Sequence, residues 1–369
     1  VMESRRLVEL VDARLADLLA SRDTIVRRIA PELGPFARYS RDLLSGGKRF
    51  RAQFCYWGWR AVGTPATEAA PPRDAELADL VDLAAGLELF HAAALVHDDI
   101  IDHSDTRRGM PAVHRRFEAL HGEEGWRGDA GGFGEGSAIL LGDLLLAWSD
   151  EILSHAILGA PSLDTHLAAR AAIDTMRTEV TLGQYLDLLE ERAWATVDPA
   201  ESLARAERVI VYKSAKYSVE APLVIGASLR GATDDQLASL RRFGLPLGIA
   251  FQLRDDVLGV FGDAARTGKP SGDDLREGKR TVLVSLTRSR LDPSSRRLFD
   301  ELLGDPELDE GQIRMLQETL RQTGALDEVE RMIADRMREA LGELADAPLG
   351  DTAKAELASL ARRITQREA

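Results

Sequence analysis

One cysteine, Cys55, stands among 369 residues. A disulfide within the chain needs two, so no disulfide framework holds it, and a reducing, cytoplasmic setting is expected. Lysine is nearly as scarce, with six against forty-one arginines. Against that default each retained lysine is informative, because it offers a compact point charge where arginine offers a planar fork. Positive charge as a whole is in deficit. The formal net charge of -14 argues against nucleic acid as a main partner and gives no electrostatic hold on an anionic membrane surface. No apolar run reaches the length of a membrane span, so no stable membrane anchor is expected. The opening VMESRRLVELV lacks the profile of a signal peptide. Period-two strand patterns backed by hairpin turns are missing, and so are short repeats.

What remains is helical. At 44% hydrophobic residues the chain has the composition of a globule with a substantial core. From Glu76 to His103 apolar residues recur three and four apart without an internal proline, and the later half is apolar nearly all round, which predicts a buried helix. EVTLGQYLDLLEERA, AERVIVYKSAKYSVEAPLVIGA and LRRFGLPLGIAFQLRDDVLGVFG read the same way, and residues from about Glu310 to Arg367 predict two or three amphipathic helices. The expected architecture is all-α, a single helical bundle domain over residues 1–369, with its motifs between about 30 and 290 and C-terminal helices from about 291. Three segments interrupt the periodicity: a Pro/Ala-rich loop at Gly63 to Asp74, an exposed and mobile loop with seven glycines at His121 to Ala138, and a polar loop at Gly262 to Arg280. The glycine-rich segment lacks the strand-turn-helix setting of a phosphate cradle.

HDDIIDHSDTRRG, His97 to Gly109, places four aspartates directly after the apolar helix. Asp98 and Asp102 are four apart and share a face; Asp99 lies about 100° round. Two carboxylates on one face repel unless neutralised. Hard divalent cations do this with oxygen ligands, and Mg²⁺ takes one or two carboxylates together with phosphate oxygens. A second pair, Asp255 and Asp256, ends another apolar stretch, FQLRDDVLGVFGD. Each pair alone reads as a solvated helix end. Two pairs that each follow a buried helix point instead to a metal cluster with a diphosphate between them. The cations fit a polyanion: Arg107 and Arg108 follow the first motif, Lys48 and Arg51 open another helix in GGKRFRAQF, Lys213 precedes Ser214, and the polar loop carries Lys269 and Lys279.

With GGKRFR, HDDIIDHSDTRRG, GQYLDLL, YKSA, FQLRDDVLGVFGD and GK…EGKR in this order, the sequence resembles a trans-isoprenyl diphosphate synthase of the polyprenyl synthetase family. The resemblance implies an isoprenoid synthase fold, all-helical around a deep apolar cavity and usually a homodimer. It implies three Mg²⁺ ions, with Mn²⁺ able to stand in, and two substrates, an allylic diphosphate and isopentenyl diphosphate. Carried over, Asp98 and Asp102 from the first motif and Asp255 from the second would ligate metal, with Asp99 and Asp256 as auxiliary ligands. Arg107, Lys213 and Lys269 would hold the allylic diphosphate. Lys48, Arg51, His91 and Arg108 would hold isopentenyl diphosphate. Ser214 and Gln252 would line the reacting region, Gln184 and Asp187 would support it, and Lys279 would help close the loop. One departure matters: the second motif, often DDxxD, reads DDVLG here, with Gly259 in the last acidic place. Asp255, Asp256 and Asp263 are then left to bind metal.

The resemblance implies head-to-tail condensation. The allylic C–O bond breaks, the isopentenyl double bond attacks the cation, and a proton leaves, with the departing diphosphate as its acceptor. Product length becomes a question of depth. Ala94 lies one turn beneath Asp98, Ala93 is its neighbour, and Phe90, about 12 Å below Asp98 at 1.5 Å per residue, would form a floor. In the family it resembles, bulky residues at the alanine positions go with the fifteen-carbon product, so the resemblance implies a longer one here, geranylgeranyl diphosphate, with farnesyl and longer products as alternatives. A class I terpene cyclase would not need the GGKRFR cations. A non-catalytic partner subunit would be expected to lack motif aspartates. A helical scaffold gives no reason for buried acidic helix ends.

Overall fold

The computed structural model describes residues 2–63, 72–262 and 271–366. Its elements in chain order are α1 (Met2–Ile29), α2 (Gly34–Leu44), α3 (Phe50–Ala61), α4 (Asp74–Ile101), α5 (Val113–Glu123), α6 (Ala130–Ala156), α7 (Leu163–Ala193) and α8 (Ser202–Val209). A π-helical stretch (Ile210–Glu220) follows, then α9 (Ala221–Leu229), α10 (Asp234–Phe261), α11 (Asp273–Glu277), α12 (Val282–Arg290), α13 (Pro293–Leu302), α14 (Glu310–Gln322), α15 (Ala325–Ala345) and α16 (Asp351–Thr365). The all-α expectation holds, and the tail forms three helices.

α4 is the central rod. Leu80, Leu83, Ala84, Leu87, Leu89 and Ala93 on it are fully or almost fully buried, because its apolar residues face neighbours on every side. α10 is shared by two buried apolar clusters. Leu240, Phe243 and Leu247 belong to the cluster that also holds the buried residues of α4 and α9, whereas Ala250, Leu253, Val257 and Val260 belong to the one built from α12 to α15. The end of α4 and the later part of α10, which carry the aspartates, are thereby fixed by the core.

Three expectations need correction. The glycine-rich segment is helical from Ala130 onward. Asp129 caps α6 by accepting the Gly131 N–H at 3.0 Å, and His121, Trp126 and Phe133 cluster with ring centroids 5.2 to 5.9 Å apart. A cap and aromatic packing offset the roughly 1 kcal/mol that each interior glycine costs a helix. A short strand pair exists, Thr106–Arg107 with Met110–Pro111, too brief for a period-two pattern. Its turn, Arg108 and Gly109, has positive φ at both positions, as a tight hairpin turn requires. Lastly, two helices, Asp74–Ile101 and Ala130–Gly159, are long and apolar enough to cross a membrane by length and composition; 72% of the apolar window is buried in the first and 28% in the second. Small residues between the aliphatic ones hid this from a search for unbroken runs.

Candidate active site

The C-terminal end of a helix repels negative charge, because its last carbonyls point outward. α4 nevertheless ends in Asp98, Asp99 and Asp102, the last just beyond Ile101 with its N–H still bonded to the Asp98 carbonyl at 2.8 Å. Three cations balance it. Lys213 donates to Asp98 Oδ1 at 3.0 Å and to Asp187 Oδ2 at 2.5 Å. Arg107 donates from Nε to Asp99 Oδ1 at 2.8 Å and reaches Asp98 Oδ2 at 3.4 Å. Lys279 stands 3.3 Å from Asp102, 3.0 Å from Glu277 and 4.0 Å from Asp274. Burial works to raise the Asp98 pKa, but Lys213, Lys279 and Arg107 outweigh it and hold the carboxyl well below its usual range. Asp102 is raised, chiefly by burial. Burial opposes charge on Lys213, yet Asp98 and Asp187 keep its pKa above the usual lysine value.

Lys213 reaches this place because its backbone is π-helical. The wider turn presents Lys213, Ser214, Tyr217 and Ser218 to one cavity, a recurrent use of such segments. It also lies hard against α7. A Cβ on Gly183 would collide with the Lys213 and Tyr212 backbone, so the glycine of GQYLDLL permits the contact that brings Gln184 and Asp187 to the site.

The cavity measures about 920 Å³. Both acidic helix ends open onto it, represented by Asp98 on one side and Asp255 and Asp256 on the other. Of the residues singled out in the sequence, it brings together Lys48, Arg51, His91, Ala94, Asp98, Arg107, Arg108, Gln184, Asp187, Lys213, Ser214, Gln252, Asp255, Asp256 and Lys279. Lys269 and Asp263 lie outside the described residues. Asp102 sits beside the cavity, reached through Lys279.

Three others are not among its lining residues. Asp99, only 1% exposed, is turned to Arg107; it anchors that arginine behind the cavity wall. Ala93 and Phe90 are buried without facing the space. At 100° per residue Ala93 stands about 140° and Phe90 about 80° round from Asp98, whereas Ala94 is within about 40°. Phe90 packs edge-on against Tyr217, with centroids 5.7 Å apart, so the ring at the cavity wall is Tyr217 and Phe90 supports it.

The cavity holds further cations around Tyr217 and His91. The Arg51 guanidinium stacks over the Tyr217 ring at 4.4 Å and donates to Ser218 Oγ at 2.8 Å. His91 Nδ1 is 3.1 Å from the Tyr217 hydroxyl; burial first, then Arg51 and Arg108, push the His91 pKa well down, so its imidazole is neutral. Arg49, Arg108 and His103 are the non-glycine residues with positive φ among the described residues. Such backbone is held only where packing over-determines it, and at Arg49 the packing is visible. Arg49 lies 3.3 Å from buried Glu88 and donates to Asp12 at 2.9 Å, while Glu88 accepts the Ala52 N–H at 3.3 Å. One carboxylate on α4 thus fixes the start of α3, which carries Arg51 and is preceded by Lys48.

The sequence reading missed several site residues. Glu191 lies four after Asp187, and one oxygen from each of Asp102, Asp187 and Glu191 lies within 4.8 Å of the others. Burial, then Asp102 and Asp187, push the Glu191 pKa up to about 7. Helical spacing alone would have found Glu191, four after Asp187 on α7, whereas Tyr217 lies on the π-helical stretch, where α-helical spacing does not apply. Asp274 and Glu277 have no such local signal. At the second acidic end, Asp256 accepts from the Gln252 amide at 2.8 Å, and its pKa is pushed up to about 8 by burial, with Asp274 and Asp255 adding to the shift.

A helical fold that converges two acidic helix ends and two sets of cations on one deep cavity defines a trans-prenyltransferase. The sequence pattern of the polyprenyl synthetase family matches residues 35–320, and the chain belongs to that family. It is 31% identical to the geranylfarnesyl diphosphate synthase of Aeropyrum pernix over 86% of this chain and 88% of that protein. It is 30% identical to the geranylgeranyl diphosphate synthase of Methanosarcina mazei over 93% of each. Its fold matches a solved geranylgeranyl pyrophosphate synthase from Corynebacterium glutamicum, complexed with isoprenyl diphosphate and magnesium. The TM-score is 0.89 at 38% identity, covering 98% of this chain and 99% of that one.

Proposed function

We propose that this chain joins isopentenyl diphosphate head to tail to an allylic diphosphate and that its product is geranylgeranyl diphosphate. The observation that carries the reading is one cavity lined by at least six cations together with both acidic helix ends. Arg107, Lys213 and Lys279 stand among the aspartates, and Lys48, Arg51 and Arg108 line the same cavity, with Arg51 and Arg108 acting on His91. So many cations exceed what one diphosphate needs and suit two.

The donor set fits a hard divalent cation: it is all carboxylate oxygen, gathered from α4, α7 and α10. Asp98, Asp102 and Asp255 would hold Mg²⁺, with Asp256 beside them, and the bound metal would supply Lewis acidity toward the leaving diphosphate. Lys213, Arg107 and Lys279 stabilise the same developing charge from fixed positions. Lys48, Arg51 and Arg108 orient isopentenyl diphosphate, and neutral His91 with the Tyr217 hydroxyl completes that set. The buried Nε2 of Gln184 has no hydrogen-bond partner among the described residues, which supports a role as donor to substrate. Phe54, Val180, Val219 and Phe251 keep the depth of the cavity apolar, so an allylic cation forms away from water that would quench it. Ala94 leaves room beneath Asp98 for a growing tail.

A homodimer is part of this reading. Ile139, Leu140, Leu167, Leu182 and Tyr185 on α6 and α7 are 45 to 61% exposed, an apolar surface that a second copy would cover.

Incubation with Mg²⁺, labelled isopentenyl diphosphate and, separately, dimethylallyl, geranyl and farnesyl diphosphates tests the proposal. Label in a twenty-carbon product is expected from each primer. Absence of label from every prenyl product overturns condensation and favours a cyclase; a twenty-five-carbon product keeps the chemistry and replaces the chain length.

A further inference from the structure

Arg280 follows Lys279 and lines the same cavity, together with Thr281, the N-cap of α12. Its side chain is only 9% exposed. Its Nε and Nη1 are buried without a hydrogen-bond partner among the described residues. A buried donor left without an acceptor costs its full desolvation, and a charged one costs more. What holds this guanidinium is a ring. Its Cζ lies 3.9 Å from the centroid of Trp194, in the 3₁₀ turn Trp194–Thr196 that follows α7.

The charge is under-matched as well. The carboxylate paired with Arg280, that of Asp300 on α13, stands 3.7 Å from Nη1. Arg288 already grips Asp300 through both oxygens, at 2.6 and 3.0 Å. Arg288 also lies over the Trp194 ring, at 4.8 Å. Two guanidinium groups therefore share one ring and one carboxylate. Burial pushes the Arg280 pKa down to about 10; Asp300 and Glu191 offset this only in part, and Arg288 adds to it.

We propose that Arg280 is a further substrate-contacting cation of this cavity, held ready on Trp194 in the empty protein, and that the allylic diphosphate supplies the acceptors its Nε and Nη1 lack. The inference rests on the condensation reading above and adds to it a donor and the ring that carries it. Its neighbour Lys279 stands among the aspartates of the first acidic end, which makes the diphosphate on that side the one within reach. A ring occupies the face of a guanidinium and leaves the N–H groups at its edge to donate. The positive end of α12 begins at the next residue and favours the same anion. In the empty protein such an arginine is a burden on stability; its use appears when the anion arrives.

The test sets binding against stability. Arg280→Met keeps much of the length of the side chain and removes its donors and charge. Three quantities are measured: calorimetric binding of inorganic diphosphate with Mg²⁺, KM for geranyl and for isopentenyl diphosphate, and the melting temperature of the ligand-free protein. Diphosphate binding is expected to weaken about tenfold, the effect of losing hydrogen bonds to a charged group. KM for geranyl diphosphate should rise by a similar factor while that for isopentenyl diphosphate stays near the parent value. The melting temperature should equal or exceed the parent's, because a buried charge without full pairing destabilises the fold that holds it. Arg280→Lys, which keeps the charge without the planar fork, should recover part of the binding. Trp194→Leu should raise the geranyl diphosphate KM in the same direction, and Trp194→Phe, which keeps a ring, should raise it less. Unchanged diphosphate binding in Arg280→Met overturns the inference. So does a melting temperature well below the parent's, since Arg280 would then be a structural member with its donors satisfied in the folded chain. A parent that binds no diphosphate with Mg²⁺ is a different result: it removes the reading of the cavity itself.

Discussion

At the end of α4, Asp98 accepts a hydrogen bond from the Lys213 ammonium at 3.0 Å and has Arg107 within 3.4 Å. Near the end of α10, Asp256 accepts from a neutral amide, that of Gln252, at 2.8 Å. Asp256 is buried and Asp98 largely so, and burial alone would raise both. The outcomes are opposite: Asp98 is held well below the usual range, and Asp256 is pushed up to about 8. At the first end Asp98 is ionised and braced by cations before any ligand arrives. At the second, Asp256 holds a proton that an incoming cation would displace. Preorganised charge costs no rearrangement at the moment of reaction, whereas a site that ionises on binding ties metal affinity to pH. α4 thus offers a fixed anvil and α10 the side that completes on loading.

The largest test of this contrast is Lys213→Met. Its ammonium is shared by Asp98 and Asp187, so its loss uncouples the braced end and removes a donor to the leaving diphosphate. A fall in kcat of about a hundred- to a thousandfold is expected, with a stability loss of about 3 kcal/mol or more from carboxylates left without their cation. Gln252→Leu at the other end should cost much less in both, since only a neutral hydrogen bond is lost. Steady-state rates below the melting temperature check the pair. Equal losses would show that the two ends are braced alike.

A smaller effect separates the walls beneath the two ends. One turn below Asp98 is Ala94; one turn below Asp255 is Phe251, set edge-on to Phe50 at 6.4 Å. The space for product growth therefore lies on the α4 side. Ala94→Phe should shorten the product by one or more five-carbon units, and Phe251→Ala should not shorten it. Chromatography of dephosphorylated products reads both. An unchanged product in Ala94→Phe would move the length control elsewhere on the wall, with Tyr217 the next candidate.

Most of the fold was legible because helical periodicity is a local property, and α4, α7 and α10 each carry it over many turns. Most of the site was legible because its residues come in short motifs at helical spacing. What could not be read came from contacts distant in sequence or from backbone that departs from the α-helix. The π-helical turn re-aims Lys213 and Tyr217, yet it leaves no periodicity that distinguishes it from α. Phe90 and Ala93 were assigned to the cavity from depth along the helix, when angle around it decides. The carboxylate that fills the space beside Gly259, that of Asp274, comes from α11 and leaves no local signal at Gly259. The glycine-rich run looked like a loop because composition does not reveal a cap at Asp129 or an aromatic clasp.

The smallest effect is a slope in stability against pH, and it too divides the ends. Asp256 has an ordinary pKa of 3.8 and a folded value of about 8. Between those values the folded chain keeps a proton that the unfolded chain has lost. A group raised in this way contributes its stability in full below the unfolded value and loses it as pH rises through the folded one. Glu191, raised to about 7, acts in the same direction. His91 acts oppositely, because its folded value lies below 6.5, but its contribution is complete once pH exceeds that of the unfolded imidazole. Asp98, depressed rather than raised, loses its contribution only in acid. The metal-free protein should therefore melt at progressively lower temperature from about pH 6.5 to about pH 8. Asp256→Asn should flatten that decline and Asp98→Asn should leave it, while Mg²⁺ with inorganic diphosphate should raise the melting temperature most at the alkaline end. Scanning calorimetry across that range reads the slope. A decline that persists undiminished in Asp256→Asn would mean that the second end is ionised in the empty site after all, and that α10 is braced as firmly as α4.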